Sequence, residues 1–291
     1  MLKLNDKIIK QETFGDKTLK VEIPEKLNRK DGLLNLFAST MFGNATDTYF
    51  ITWCYDNDSE LFLLQCLVDR IRDISPFASI KLEMPYIPNA RQDREVSNRL
   101  FTLKSFCKII NNMNFSEVKV LDPHSDVSLA LLDRVVTELP LKECCKFSDD
   151  VIFMYPDAGA AKKYKSDTNA IIGNKHRNEE GRIDRYDLLN FKEGTKTVLI
   201  VDDIVSYGGT FVEAAKALRE KGVETICLLV SHCEPNIFKG QVFDYINHVY
   251  TTDSIIDFDN FDYCIPDINV KERMTFVKTY RKTKKEEKED K

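Results

Sequence analysis

No stretch of the chain is apolar for long enough to span a bilayer, and no secretory leader opens it, so a soluble protein without a membrane partner is expected. Its eight cysteines lack the paired spacing that holds zinc, which leaves reduced thiols in a cytoplasmic compartment as the expectation. The adjacent Cys144-Cys145 pair is read as packing, with a redox role as the alternative. An excess of basic charge is missing as well: 42 Lys and Arg stand against 47 Asp and Glu, for a formal net charge of -5. Nothing therefore draws the chain as a whole toward nucleic acid or an anionic surface, and any phosphate binding must be local. What is there is length: 291 residues suffice for one large or two medium domains with real cores.

One stretch stands out, Thr197-Val198-Leu199-Ile200-Val201-Asp202-Asp203-Ile204-Val205-Ser206-Tyr207-Gly208-Gly209-Thr210. Its apolar part has the length and β-branched content of a strand buried on both faces, and Phe211 to Lys221 is apolar at helical spacing. The spacing predicts strand, loop, helix. Such a loop gathers unpaired backbone N–H groups at the positive end of a helix dipole, and its glycines let a phosphate approach the backbone. Asp202 and Asp203 fall at the strand's carboxyl end, where they suit sugar hydroxyls or a metal-bound diphosphate. The competing structural reading is a tight βα turn with two capping acids. The stretch resembles the phosphoribosyl diphosphate loop of type I phosphoribosyltransferases and of ribose-phosphate pyrophosphokinases, two families that share one fold. By itself it does not choose between them.

Along the chain, residues 1 to 30 alternate weakly, as in Leu19-Lys20-Val21-Glu22-Ile23, and predict edge strands or a hairpin. A strand at Thr48 to Tyr55, a helix at Ser59 to Ile74, a strand at Ser79 to Tyr86 and a helix at Asn98 to Asn112 follow. Then come a strand at Val118 to Leu121 and a helix at Ser125 to Leu139, closed by Pro140. A second cycle has strands at Val151 to Tyr155, Asn169 to Gly173 and Thr225 to Ser231, with a helix starting at Gly159 to Tyr164. This rhythm calls for an α/β protein of two tandem halves, mostly parallel sheets flanked by helices, with strand ends lining a cleft. The expected divisions are a nucleotide-binding half over 1–145, a ribose- and phosphate-binding half over 146–265, and a C-terminal segment over 266–291 with a frayed, charged tail.

The string Met84-Pro85-Tyr86-Ile87-Pro88-Asn89-Ala90-Arg91-Gln92-Asp93-Arg94 places two guanidinium groups, an amide and an acid after a strand. Arginine offers paired donors to phosphate oxygens, glutamine can read a base edge, and a carboxylate orients its neighbours. This string closely resembles the nucleotide-binding signature of ribose-phosphate pyrophosphokinases, which phosphoribosyltransferases lack. Four further stretches match that family in order along the chain. Phe14-Gly15-Asp16 resembles its adenine-contacting element, which reaches a neighbouring subunit's nucleotide, although Thr18 stands where glutamate is usual. Leu121-Asp122-Pro123-His124-Ser125 resembles the element whose histidine helps hold magnesium–ATP; Tyr155-Pro156-Asp157-Ala158-Gly159-Ala160 resembles the turn whose aspartate contacts ribose hydroxyls or their metal. Lys175-His176-Arg177 resembles a flexible lid that closes over the reacting phosphates.

The resemblance implies an enzyme that moves the β,γ-diphosphoryl group of ATP to the anomeric hydroxyl of a ribose-5-phosphoryl acceptor, releasing AMP. Lys175 and Arg177 are then the catalytic cations, Arg91, Gln92, Asp93, Arg94, Phe14, Asp16 and His124 hold ATP, and Mg2+ lies near His124 and Asp157. Asp157, Asp202, Asp203, Ser206, Tyr207, Gly208, Gly209 and Thr210 take the acceptor. The family's adenine contact across subunits implies self-association to a dimer or hexamer. The central loop departs from the family's "DDxxDTxGT": Ser206 removes a carboxylate and Tyr207 adds a large ring. The acceptor is either ribose 5-phosphate or a 5-capped sugar such as ADP-ribose, whose base an aromatic face could stack on. A phosphoribosyltransferase, or a non-catalytic nucleotide-sensing relative, are the alternative readings.

Overall fold

A computed structural model describes residues 1–22, 47–96, 98–138, 147–148, 150–165, 169–177, 183–257 and 270–281. The Cys144-Cys145 pair, residues 178–182 that follow Lys175-His176-Arg177, and the charged tail beyond Arg281 lie outside the described residues. Packing divides the chain into two units, Met1–Glu138 with Tyr280–Lys291, and Leu139–Thr279. Residues 274–278, expected within a separate C-terminal segment, are a strand of the second unit's sheet.

The first unit begins with β1 (Leu2–Leu4), β2 (Lys7–Ile8), β3 (Lys10–Thr13) and β4 (Leu19–Glu22), then β5 (Thr48–Trp53), α1 (Ser59–Ile74), β6 (Ser79–Glu83), α2 (Thr102–Asn112), β7 (Glu117–Leu121), α3 (Asp126–Leu131) and β8 (Val135–Glu138). Its six-stranded sheet runs β2-β1-β5-β6-β7-β8, while β3 and β4 form a separate hairpin. Strands β5 to β8 are parallel. Alternation explains the core: Ile51, Trp53, Ile80, Leu82, Val118 and Val120 point to one face and pack with Leu64, Leu67 and Ile71 of α1 and Leu103, Phe106 and Ile110 of α2. Each such side chain, fully buried, contributes about 1.5–3 kcal/mol. The residues between them are polar and half-exposed, with Lys81 paired to Glu117 at 3.4 Å and Lys119 to Glu83 at 3.2 Å. The returning C-terminal segment packs Tyr280 with Cys54 and Leu121, and its hydroxyl donates to Glu138 at 2.8 Å.

The helix predicted to run from Ser125 to Leu139 is corrected. It ends at Leu131, Arg134 takes a left-handed φ of 53, and Val135–Glu138 leave as β8, pairing Val118 with Val135 and Val120 with Thr137. The β-branched Val135-Val136-Thr137 run favours an edge strand once β7 offers a partner.

The second unit comprises β9 (Ile152–Tyr155), α4 (Ala158–Lys163), β10 (Ile171–Arg177), β11 (Ile183–Leu189), β12 (Thr197–Val205), α5 (Gly209–Glu220), β13 (Thr225–Cys233), α6 (Val242–Tyr245), β14 (His248–Thr252), α7 (Val270–Arg273) and β15 (Met274–Lys278). Its seven strands run β11-β10-β9-β12-β13-β14-β15, parallel except for β11. Strand β12 sits centrally and is buried on both faces, as its composition predicts. Val198 and Ile200 enter the core beneath Phe211, Ala214, Ala215 and Leu218 of α5, while Leu199 and Val201 enter a second core with Ala160, Ala161 and Tyr164.

Candidate active site

In the first unit, β6 and β7 are parallel neighbours, so the loops leaving their carboxyl ends emerge side by side. Backbone bonds join the chain at these exits, from Met84 to Lys119 at 2.8 Å and from Leu121 to Pro85 at 3.0 Å. The β6 loop is anchored by buried Met84, Ile87 and Ala90 and turned by Asn89 at φ 63. Arg91, Gln92 and Arg94 are exposed beyond that anchor. Gln92 accepts from Thr102 Oγ1 at 2.8 Å, and Asp93 lies 4.0 Å from Arg94. The β7 loop carries His124, exposed, between buried Asp122 at φ 39 and Ser125, which precedes α3. The arginine string and His124, separated in sequence, thus share one edge of one sheet.

Phe14 and Asp16 lie in the turn of the β3–β4 hairpin, and Phe14 is 54% exposed. Asp16 Oδ1 accepts from the Thr18 hydroxyl at 2.6 Å and the Thr18 N–H at 3.0 Å, which holds its carboxyl below the ordinary range. Thr18, the departure from the family pattern, thus fastens this turn.

In the second unit, Asp157 ends the β9 exit and caps α4, its Oδ1 accepting from Ala160 N–H at 3.0 Å. Its Oδ2 lies 2.8 Å from Lys175 Nζ. Burial opposes ionisation here, but the Lys175 ammonium and the Ala160 and Gly159 N–H groups outweigh it, and the carboxyl stays below its usual range. Lys175 and Arg177, expected in a loop, belong instead to β10, which pairs antiparallel with β11 in a hairpin. The hairpin's other face ties His176 Nε2 to Asp187 at 3.0 Å and Arg185 to the same carboxylate at 2.8 Å.

Asp202 and Asp203 lie on β12, two residues before its end. The Asp203 N–H donates to Asp202 Oδ1 at 3.0 Å, and Lys163 Nζ lies 3.9 Å from Asp203 Oδ1. Burial, then the adjacent Asp203, then Asp157 push the Asp202 carboxyl well above the ordinary range. Beyond Val205 the chain turns through Ser206 and Tyr207 into α5. Gly208 has φ +79, and a Cβ there would lie 2.0 Å from Val242 Cγ2, so only glycine fits. Gly209 opens α5 with open space around it, and helix geometry leaves the first-turn N–H groups, those of Gly209, Thr210 and Phe211, facing outward. Ser206 Oγ accepts from Asn236 at 3.4 Å, and Tyr207 is 56% exposed. Outward N–H groups at the start of a helix suit an anion, and the exposed Tyr207 ring stands beside them.

Sequence reasoning missed two residues here. Lys163 reaches Asp203 from the end of α4, and Tyr186 on β11 stands opposite Lys175 with its hydroxyl on Pro156 O at 2.8 Å. Neither sits in a motif; the alternation of Arg185-Tyr186-Asp187-Leu188 is the one available sign of β11.

Parallel strands with acids and a glycine turn at their carboxyl ends define a phosphoribosyl-transfer fold. Residues 104–263, over half the chain, match the family described as "Phosphoribosyl transferase domain", and the chain belongs to that family. Within it, the sequence kinship is with the ribose-phosphate pyrophosphokinases, which are diphosphotransferases. The "Ribose-phosphate pyrophosphokinase" of Thermosipho africanus is 28% identical over 77% of this chain and 76% of its own. That of Pyrococcus furiosus is 30% identical over 59% of this chain and 65% of its own. A crystal structure of phosphoribosylpyrophosphate synthetase from Mycobacterium smegmatis shares the fold, with a TM-score of 0.67 at 16% identity over 94% of this chain and 85% of that one.

Proposed function

We propose that the chain transfers the β,γ-diphosphoryl group of ATP to the C1 hydroxyl of a ribose-5-phosphoryl acceptor, releasing AMP. The observation that carries this reading is the Lys175–Asp157 pair, 2.8 Å long, beside Asp202 and a glycine cradle. It sets a phosphate-binding cation against acids suited to sugar hydroxyls. Transfer of this kind needs in-line positioning and positive charge on oxygens whose charge grows, and little covalent help. Arg91, Gln92 and Arg94 hold the nucleotide, with Asp93 orienting them and Phe14 and Asp16 contributing the adenine contact. Lys175 and Arg177 close on the migrating group. Asp202 and Asp203 take the ribose hydroxyls, while Ser206, Tyr207, Gly208, Gly209 and Thr210 surround the 5-phosphate.

Among the described residues no three His, Cys, Asp or Glu side chains converge, so no cage of protein ligands stands ready for a metal. Mg2+ keeps mainly phosphate oxygens and water, so single protein donors suffice for it: His124 would serve in the first unit and the ionised Asp157 in the second. When bound, the ion neutralises phosphate charge.

Tyr207 favours a second reading of the acceptor. Its ring is 56% exposed beside the glycine turn and offers a face on which a base could stack, which supports ADP-ribose as a capped acceptor whose product would be an activated donor for NAD synthesis. Supplying ATP and magnesium with each acceptor separately and following AMP decides between them. Rapid AMP release with ribose 5-phosphate and none with ADP-ribose removes the capped reading; no release with either removes both. We further propose self-association to at least a dimer in a cytoplasmic setting, with Phe14 reaching a neighbour's nucleotide. Specific activity should then fall on dilution through the dissociation range seen by light scattering.

A further inference from the structure

We propose that Tyr186 is a positioning residue of this site, fixing the Pro156-Asp157 turn to the root of the Lys175 hairpin through one hydroxyl. The inference rests on Asp157 and Lys175 acting as proposed above.

The Tyr186 hydroxyl donates to Pro156 O at 2.8 Å, the carbonyl directly before Asp157. It reaches that carbonyl across Gly173: a Cβ there would lie 2.1 Å from Tyr186 Oη and 2.7 Å from Pro156 O. The missing side chain is thus the slot through which the phenol passes. On the hairpin, Tyr186 is the direct cross-strand partner of Lys175, and Lys175 holds Asp157 Oδ2 at 2.8 Å. The loop so formed runs from the Asp157 carboxylate to Lys175, across the strand pair to Tyr186, and back through Pro156 to Asp157. Both ends of the turn are then constrained, by the phenol on one side and by Ala160 N–H on the other. Burial, with the charges of Asp157 and Asp202, pushes the Tyr186 phenol up, so it remains a neutral donor at any physiological pH. Without the hydroxyl, Pro156 O would lose its donor and the Asp157 carboxylate could turn away from Lys175.

Tyr186→Phe keeps the ring and removes only the oxygen. One hydrogen bond of ordinary net strength corresponds to about a tenfold change in an equilibrium or rate. Amide hydrogen exchange of the intact protein should therefore quicken about tenfold at Ala160 and Ala161, with the β13 amides unchanged. With the favoured acceptor, kcat should fall about tenfold while KM for ATP holds, and adding Tyr186→Phe to Asp157→Asn should cost nothing further, because both act through one carboxylate. Unchanged exchange at the turn, or an undiminished tenfold loss in the Asp157→Asn background, overturns the proposal. If the wild-type chain transfers to neither acceptor, the proposed function fails, while the exchange comparison still decides what Tyr186 does.

Discussion

At the residue scale, two carboxylates of the second unit, Asp157 and Asp202, are pushed in opposite directions by their neighbours. Asp157 is kept ionised by Lys175 and two N–H groups despite burial, so the stability it adds is present above its unfolded pKa and lost as pH falls through its lower folded value. Asp202 has the opposite sign: its folded pKa is raised, the folded chain holds the extra proton, and stability declines as pH rises from the unfolded value of about 4 through the folded one. Asp202→Asn should therefore raise the thermal midpoint at neutral pH, with the gap closing near pH 4, while activity is lost; thermal unfolding across pH checks this. An acceptor whose hydroxyls donate hydrogen bonds to Asp202 would favour its ionised form and relieve the same strain on binding. Lys175→Ala should leave the fold intact and lower turnover on the order of a hundredfold, by analogy with removing one preorganised donor. Unchanged turnover in a folded variant would take the hairpin lysine out of the reaction. These acids and Lys175 were legible because they stand in motifs. Tyr186 was not, since a tyrosine in a polar stretch carries no local sign, and its role depends on a glycine thirteen residues away that has no side chain to read.

At the scale of elements, the central strand, turn and helix form one unit whose rigidity comes from packing. Strand β12 feeds two cores, α5 closes one of them, and Gly208 is pressed against Val242 of the following short helix. Gly208→Ala should cost about 2–4 kcal/mol, from a left-handed backbone and a Cβ with no room. Urea unfolding measures it; a cost under about 0.5 kcal/mol would mean the cradle is looser than its packing implies. This strand was readable because burial on both faces leaves an apolar run that nothing else explains. Strand β8 was not: Leu129 and Leu132 continue a helical spacing, and only pairing with β7 turned Val135-Val136-Thr137 into a strand. The basic residues at 175–177 looked like a loop for a related reason. Hairpin β10–β11 has one exposed polar face, and its Asn174, His176, Arg185 and Asp187 read as solvated coil until the cross-strand partners are known.

At the scale of the whole molecule, two α/β units carry different sets of side chains at the edges of their sheets. The first presents cations and His124 at the carboxyl edge of its sheet; the second presents acids, Lys175 and a glycine turn into a helix at the carboxyl edge of its own. The two sets follow the order of the motifs along the chain. The return of the chain to the first unit at Tyr280 was hidden, since it depends on Glu138, Cys54 and Leu121 meeting a residue that follows the second unit. The central claim is that this division serves diphosphoryl transfer to a sugar's anomeric oxygen. Phosphorus NMR of a mixture of the protein with ATP, Mg2+, ribose 5-phosphate and ADP-ribose tests it most directly. The prediction is AMP appearing in step with a new diphosphate monoester on C1 of one acceptor, each in equal amount; ADP in place of AMP, or ATP left unconsumed, would contradict it.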